Sequence, residues 1–563
     1  MTAVLRKLSR RRASPATEPL GADTCPLLAH GVVFESTGED AAWIAVVDGV
    51  PSSRVSPAVI ELLTAMDGGT TVQALHRRFA ASESPESFLR LVGRFRDNGL
   101  LEGGAKRAPG RISYRPPFTL QFATVRAPTL FARLDGAVFR PSSRVLVASV
   151  AVLLCAGLVA AILQAGDLRD VLTRPLPLGA VLTLIVLLSL ITLLHEGAHG
   201  LTLTRFGGSP RRAGFMIFYL TPAFFVDVTD GWRLADRRHR VAVALAGPAV
   251  HAVVAAAAVL LALAAPRSTV RDVLLLLATS CVVIVLVNLI PFVRFDGYIA
   301  LVNALDTPNL RGRTISDGAN ALSRRLFGGA PVNRSVQTWW SVPFGLASLL
   351  APVVMVVLVV TRTVHAFADG GPVLGLFVVA LEAVVVLVGC GLLVRALSRV
   401  LRSGVSRVRF VGVCVALAAA VVITGTLLPV PATATFGFVA DDGRVSLVQG
   451  GERTAVEVPD GARVLLSSRG ILMNEPLGVG SVRPQPPQPI TVPVDALFPV
   501  RAEGLTVPAV VVGTVDVEMP ERRLPSTGQA RIDLGTTNVW QMLWTRGVMA
   551  PLSPLWAEEE ERQ

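Results

Sequence analysis

The sequence predicts a mainly α-helical polytopic membrane protein of about seven transmembrane helices plus a re-entrant hairpin. An N-terminal winged-helix-like α/β domain and a C-terminal all-β domain flank that core. Three observations predict this. The 563 residues are 52% hydrophobic and only 17% charged, with mean hydropathy +0.56, which is membrane-protein composition diluted by soluble parts. Seven apolar runs, near 145–164, 178–203, 241–264, 273–293, 341–361, 372–395 and 409–429, approach or exceed the roughly 20 residues a helix needs to cross a bilayer. Before and after them the patterning changes to that of compact soluble folds.

Residues 1–22 are basic and contain Ser and Pro, and are expected to be disordered. Residues 23–104 read as a small α/β unit. Val32-Val33-Phe34 and Trp43 to Val47 are strand-like. Ser56-Pro57 opens a helix with Ser as N-cap and Pro at its first position, and Asp67-Gly68-Gly69 stops it. Thr70-Thr71 caps a second helix carrying Val72, Leu75 and Phe79. Ser84-Pro85 caps a third, which ends at Asn98-Gly99. The Pro/Arg-rich stretch 105–141 is expected to be a linker, followed by a transmembrane core over 142–430. Within that core Phe215–Val228, containing Pro222, is too short and broken to span, which points to a re-entrant hairpin.

The net charge of +12 is almost entirely arginine, because Lys7 and Lys106 are the only lysines. The arginines cluster between apolar runs: Arg205, Arg211 and Arg212; Arg233, Arg237, Arg238 and Arg240; Arg311, Arg313, Arg324 and Arg325; Arg395, Arg399, Arg402 and Arg407. The alternate loops hold fewer, so the positive-inside rule puts the N-terminus in the cytoplasm of a multi-pass cell-membrane protein. An odd number of spans then puts residues 431–563 outside the cytoplasm. There, short alternating runs (Phe436–Val439, Ala455–Val458, Ala509–Val512) are separated by Gly, Asp and Pro, including Pro484-Gln485-Pro486-Pro487, as in an all-β domain. The tail Glu558–Glu561 reads as a solvated acidic end. Lipid headgroups account for the basic charge better than nucleic acid does. The five cysteines form no C-x-x-C pair and the last four lie in apolar runs, so they read as small buried hydrophobes and not as a zinc ribbon or a disulfide framework.

The chemistry is concentrated in His195-Glu196-Gly197-Ala198-His199, at the end of the second apolar run. Imidazoles four residues apart share one helix face and can hold one metal ion, and Glu196 beside them can act as general base. Tetrahedral zinc needs a third protein ligand. Asp296 offers a carboxylate just past the end of the fourth run, where Pro291 breaks the helix, and Asn288 supplies an amide at the same level. An ionisable cluster at such depth points to function, here peptide hydrolysis at or within a bilayer.

These two segments resemble the site-2 protease family of intramembrane zinc metalloproteases, whose pattern is H-E-x-x-H on one transmembrane helix and N-x-x-P-x-x-x-x-D-G on a later one. His195, Glu196 and His199, then Asn288, Pro291, Asp296 and Gly297, match it without a departure. The Phe215–Asp230 segment and Ala246-Gly247-Pro248 are also similar to that family. The resemblance covers roughly residues 178–305. It implies Zn2+ held by His195, His199 and Asp296, Glu196 as the base, and Asn288, Pro291 and Gly297 around the substrate.

A second resemblance covers about residues 28–103. Val55 to Leu63, Asp67-Gly68-Gly69-Thr70-Thr71-Val72 and a helix ending in Asn98-Gly99-Leu100-Leu101 resemble the PqqD-like domain, or RiPP recognition element. That family binds leader peptides as an added strand on a sheet edge. The alternative is a DNA-binding winged helix, but Arg90, Arg94 and Arg96 make a modest basic face, so no nucleic-acid partner is expected. Together the two resemblances imply an endopeptidase that matures a ribosomally made precursor peptide. Its partners would be that peptide, the bilayer, and peptide-modifying enzymes or an exporter. The domain combination alone resembles the metalloproteases of daptide-type pathways. The rival expectations are regulated intramembrane proteolysis of an anti-sigma factor, and a non-catalytic export or immunity protein.

Overall fold

A computed structural model describes residues 20–36, 43–47, 49–104, 111–115, 119–124, 126–137, 143–218, 221–328, 333–367, 372–441, 444–450, 458–518 and 524–549. Most of the expected basic segment 1–22, the acidic end Glu558–Glu561 and Ala455–Glu457 of one expected strand lie outside the described residues. The chain begins with strands β1 (Val32–Ser36), β2 (Trp43–Val47) and β3 (Val50–Val55). Helices α1 (Pro57–Thr64), α2 (Val72–Phe79) and α3 (Pro85–Asp97) follow, then β4 (Ile112–Arg115), β5 (Thr119–Thr124) and α4 (Ala127–Ala137). Next come α5 (Ser143–Leu163), α6 (Ala165–Thr173), β6 (Leu176–Pro177), α7 (Leu178–Arg205), and the hairpin β7 (Ala213–Phe218) and β8 (Thr221–Val226). The helices α8 (Arg237–Ala264), α9 (Thr269–Asn288), α10 (Asp296–Ala304), α11 (Leu310–Phe327), α12 (Ser341–Phe367), α13 (Pro372–Arg402) and α14 (Arg407–Leu427) complete the helical part. Strands β9 (Pro429–Asp441), β10 (Arg444–Gly450), β11 (Arg463–Ser467), β12 (Pro476–Pro493), β13 (Val500–Arg501), β14 (Thr506–Glu518) and β15 (Thr527–Asn538) precede a last short helix, α15 (Val539–Trp544).

Among the described residues seven helices are long and apolar enough to cross a membrane: α5, α7, α8, α9, α12, α13 and α14. The 28 residues of α7 extend about 42 Å, longer than the roughly 30 Å hydrocarbon core.

The chain divides into two compact units. The first comprises residues 1–141, 191–250 and 299–308. Its antiparallel sheet β1-β2-β3 and helices α1–α3 share a core of Ala45, Leu63, Met66, Leu75, Phe88, Val92 and Leu100. The expected caps are present at two of three helices. Thr71 and Ser84 accept the Ala74 and Ser87 amides, whereas Ser56 precedes Pro57 without a side-chain cap bond. Asp67 makes the turn after α1. The Gly69 and Thr70 amides donate to its carboxylate at 2.9 Å each and hold its pKa below the usual value.

The described residues of 105–141 correct the expected linker. They supply β4, β5 and α4, and β5 pairs with β7, so the expected hairpin is the second half of a four-stranded antiparallel sheet in the order β4-β5-β7-β8. The physical reason is edge satisfaction: an isolated two-stranded hairpin leaves backbone donors and acceptors open on both flanks, and β5 closes one of them. Pro222 sits on the outer strand β8, where a missing amide is tolerated.

The second unit comprises residues 142–190, 251–298 and 309–563. Gly157 of α5 abuts Ala256 of α8, and Gln164 donates to the Val259 carbonyl at 3.0 Å. The C-terminal strands close into a six-stranded barrel, β10-β14-β12-β11-β15-β9, filled by Phe438, Leu447, Val464, Leu466, Val482 and Ile532. Each of the six strands thereby has a hydrogen-bonded neighbour on both sides. The barrel is fastened to α6 by the Met473 amide, which donates to the Leu172 carbonyl at 3.2 Å, and by the parallel pair β6/β13. One detail corrects the sequence reading: Pro484–Pro487 does not separate two strands. Strand β12 continues through it against β14, with a register shift between Pro484 and Gln488. Prolines cannot donate to the ladder, so these residues are extruded as a bulge.

Candidate metal centre

His195 and His199 lie on α7, about 15 and 9 Å along the axis from Arg205. Their four-residue spacing stacks them on one face. Both are buried, at 6% and 7% exposure. Their rings meet edge-on, and the two Nε2 atoms are 3.3 Å apart. The His199 Nδ1–H donates to the Val243 carbonyl of α8 at 2.6 Å. That bond selects the tautomer whose Nε2 carries a lone pair, the form that binds metal. A lone pair aimed at a second imidazole nitrogen at this distance calls for a proton or a cation between them.

Gly247 explains how α8 comes this close. A Cβ there would fall within contact distance of both Nε2 atoms, so only glycine leaves the space open. Pro248, next in the same helix, has no amide to return to the Ala244 carbonyl. On the other side Gly200 of α7 abuts the ring of Phe131 on α4, where a Cβ would collide. The segment expected to be a linker thus buttresses the histidine-bearing helix.

Glu196 is half-buried, and the Val226 amide at the end of β8 donates to its carboxylate at 3.2 Å. The four-stranded sheet therefore ends at the residue expected to act as base. Asp227 takes a turn role, accepting from the Thr229 amide and hydroxyl. The buried Asp230 instead ties distant segments together through Arg211, Arg233 and the Ser209 amide.

The later motif is a helix break. Asn288 ends α9, residues 289–295 form a turn through Pro291, and Asp296 is the first residue of α10. Gly297 follows against the backbone of Leu289, where a Cβ would overlap that chain. One ligand atom each from His195, His199 and Asp296 lies within 4.8 Å of the other two. Two imidazole nitrogens and a carboxylate oxygen at that separation could hold one metal ion. The Val243 carbonyl, which orients His199, was missed by sequence reading. The only local hint was the Gly-Pro pair in the middle of an apolar helix.

No family model, curated protein or solved structure matches this chain.

Proposed function

We propose that the protein is an intramembrane zinc endopeptidase that cleaves a leader-bearing or membrane-associated precursor peptide. The observation that carries the reading is the convergence of the His195 and His199 Nε2 atoms, 3.3 Å apart and buried, with the Asp296 carboxylate in reach. Zinc held there would supply Lewis acidity toward water and a peptide carbonyl at neutral pH. Glu196 takes the proton of the attacking water and delivers it to the leaving amine. The Val226 amide holds the carboxylate in place for both transfers. The outer edge of β8 offers open backbone groups on which an unwound substrate segment is held extended. Asn288 serves as a donor toward the oxyanion or the substrate backbone.

The sheet β1-β2-β3 with its three helices is the site for the leader. Arg233 makes a two-bond pair with Glu35 of β1, at 2.8 and 2.9 Å, and also bonds Asp230. Leader capture is thereby tied to the loop that leads from β8 into α8. The N-terminal unit is cytoplasmic and the barrel extracytoplasmic in this reading.

Glu196→Gln tests the mechanism. Hydrolysis of a precursor by purified enzyme should stop while one zinc per chain is retained; normal turnover would sink the assignment. Excess free leader peptide tests the recognition step. It should inhibit processing of the full precursor and spare a leaderless transmembrane substrate, and equal inhibition of both removes the leader-capture idea.

A further inference from the structure

A cleft of about 520 Å3 opens beside the start of α12, lined at its polar end by Asp317, Asn320, Arg324, Arg325, Asn333 and Arg334. We infer that it binds the phosphate headgroup of an anionic phospholipid whose chains lie along α12.

The polar end of the cleft holds three guanidinium groups and two side-chain amides. Arg324, Arg325 and Arg334 are all exposed. Among the described residues none of the three has a carboxylate partner, and Arg334 makes only a long 3.4 Å bond to the Thr338 carbonyl. Neighbouring arginines are committed to structure. Arg311 donates to the Phe292 and Ser348 carbonyls, and Arg313 to the Ser335 carbonyl. The one carboxylate of the cleft, Asp317, is turned to other work. It accepts from the Ser335 and Val336 amides at 2.7 and 3.1 Å and from the Ser341 hydroxyl. Three cations against one fully engaged anion leave the cleft with a surplus of two positive charges. Guanidinium forks match phosphate oxygens in geometry and charge.

The apolar end identifies the ligand as a lipid. Val342 and Leu346 belong to the first turns of the span that starts at Ser341. Beyond them Leu349, Leu350 and Val353 continue an exposed apolar face, and Trp339, just before the span, is 82% exposed. Tryptophan at that place marks the headgroup level. The positive-inside rule accounts for arginines near the end of a span, but it does not ask for a concave site that also holds two side-chain amides. A basic pocket at a helix end, at this depth, suits an anionic headgroup.

The test uses the full chain purified in neutral detergent and native mass spectrometry with added phosphatidylglycerol, phosphatidylcholine or inorganic phosphate. Wild type should retain phosphatidylglycerol in preference to phosphatidylcholine. The Arg324→Gln/Arg325→Gln/Arg334→Gln protein should bind it roughly tenfold to hundredfold more weakly. The lysine triple, Arg324→Lys/Arg325→Lys/Arg334→Lys, guards against misfolding and should keep most of the binding. A control, Arg395→Gln/Arg399→Gln/Arg402→Gln, removes the same charge from the exposed end of α13 and should bind like wild type. Equal loss in the control reduces the effect to net charge and overturns the site. Phosphatidylcholine binding as well as phosphatidylglycerol does the same. Displacement of the lipid by millimolar inorganic phosphate would assign the cleft to a soluble anion instead.

Discussion

Helices α8 and α13 are both long and apolar enough to cross a membrane, and they have opposite surroundings. Their most apolar stretches have mean hydropathies of 2.1 and 2.7, yet half of the α8 stretch is buried against protein and only 6% of the α13 stretch is. The difference follows the polar residues. Along α8 stand Arg240, which donates to the Leu234 carbonyl and pairs with Asp306, then Gly247 against two imidazoles, then the buried His251. In hydrocarbon, polar groups must be satisfied inside the protein, so a helix carrying them is drawn into contact. Helix α13 is mostly Val, Leu and Gly, and lipid is as good a neighbour for such a surface as another helix. Its one acidic residue, Glu382, lies beside Gly547, where the C-terminal turn covers it. Hydropathy identifies a span, and the polar exceptions within it say which spans form the interior.

The largest effect that could break this comparison lies at Glu196. The Glu196→Gln change described above should lower turnover by about 10³–10⁴-fold, within the range for removing a general base. A smaller loss would mean that the buried helices hold polar residues for packing alone. Next comes a matched pair of glycine substitutions. Gly247→Ala places a methyl group against both imidazole nitrogens and should weaken zinc binding by about 10–100-fold, read by competition with a chelator. Gly391→Ala on α13 meets open space and should leave zinc affinity unchanged and thermal stability unchanged or raised by no more than about 1 kcal/mol, the helix-propensity gain of alanine. If the two behave alike, burial does not separate the helices in function.

A smaller effect concerns Asp317 on α11. Burial pushes its carboxyl up, but hydrogen bonds from Ser341, Ser335 and Val336 outweigh it and hold the pKa below the ordinary value. A folded pKa below the unfolded one gives stability that is present above the unfolded value and lost as pH falls through the folded value. Asp317→Asn should therefore cost about 2–3 kcal/mol at neutral pH and much less at acid pH. Thermal unfolding of both proteins across that range checks the sign; parallel curves would contradict it.

Much of the helical architecture was legible from residue order alone. Spans declare themselves by length, Thr71 and Ser84 by cap chemistry, and His195 and His199 by a spacing that any α-helix places on one face. The β structure was less legible for a definite reason. Thr119–Thr124 is six residues of weak alternation, and its partner Ala213–Phe218 stands some ninety residues later. Nothing local encodes that pairing, so 105–141 reads as a connection. The prolines at 484–487 mislead in the opposite direction, because a turn and a bulge have the same composition.

The amino-acid order by itself determined the helices long and apolar enough to cross a membrane, the imidazole pair with its adjacent carboxylate, and an all-β tail, because periodicity, length and capping act within a few residues. Only the tertiary structure decided that β5 joins β7, that the Val243 carbonyl orients His199, and that Phe131 lies against Gly200. It also decided that Asp296 lies within ligand reach of the two histidines. These are contacts between segments far apart in the chain. They are selected by which packing satisfies every buried backbone and side-chain polar group at once, and no local pattern carries that information.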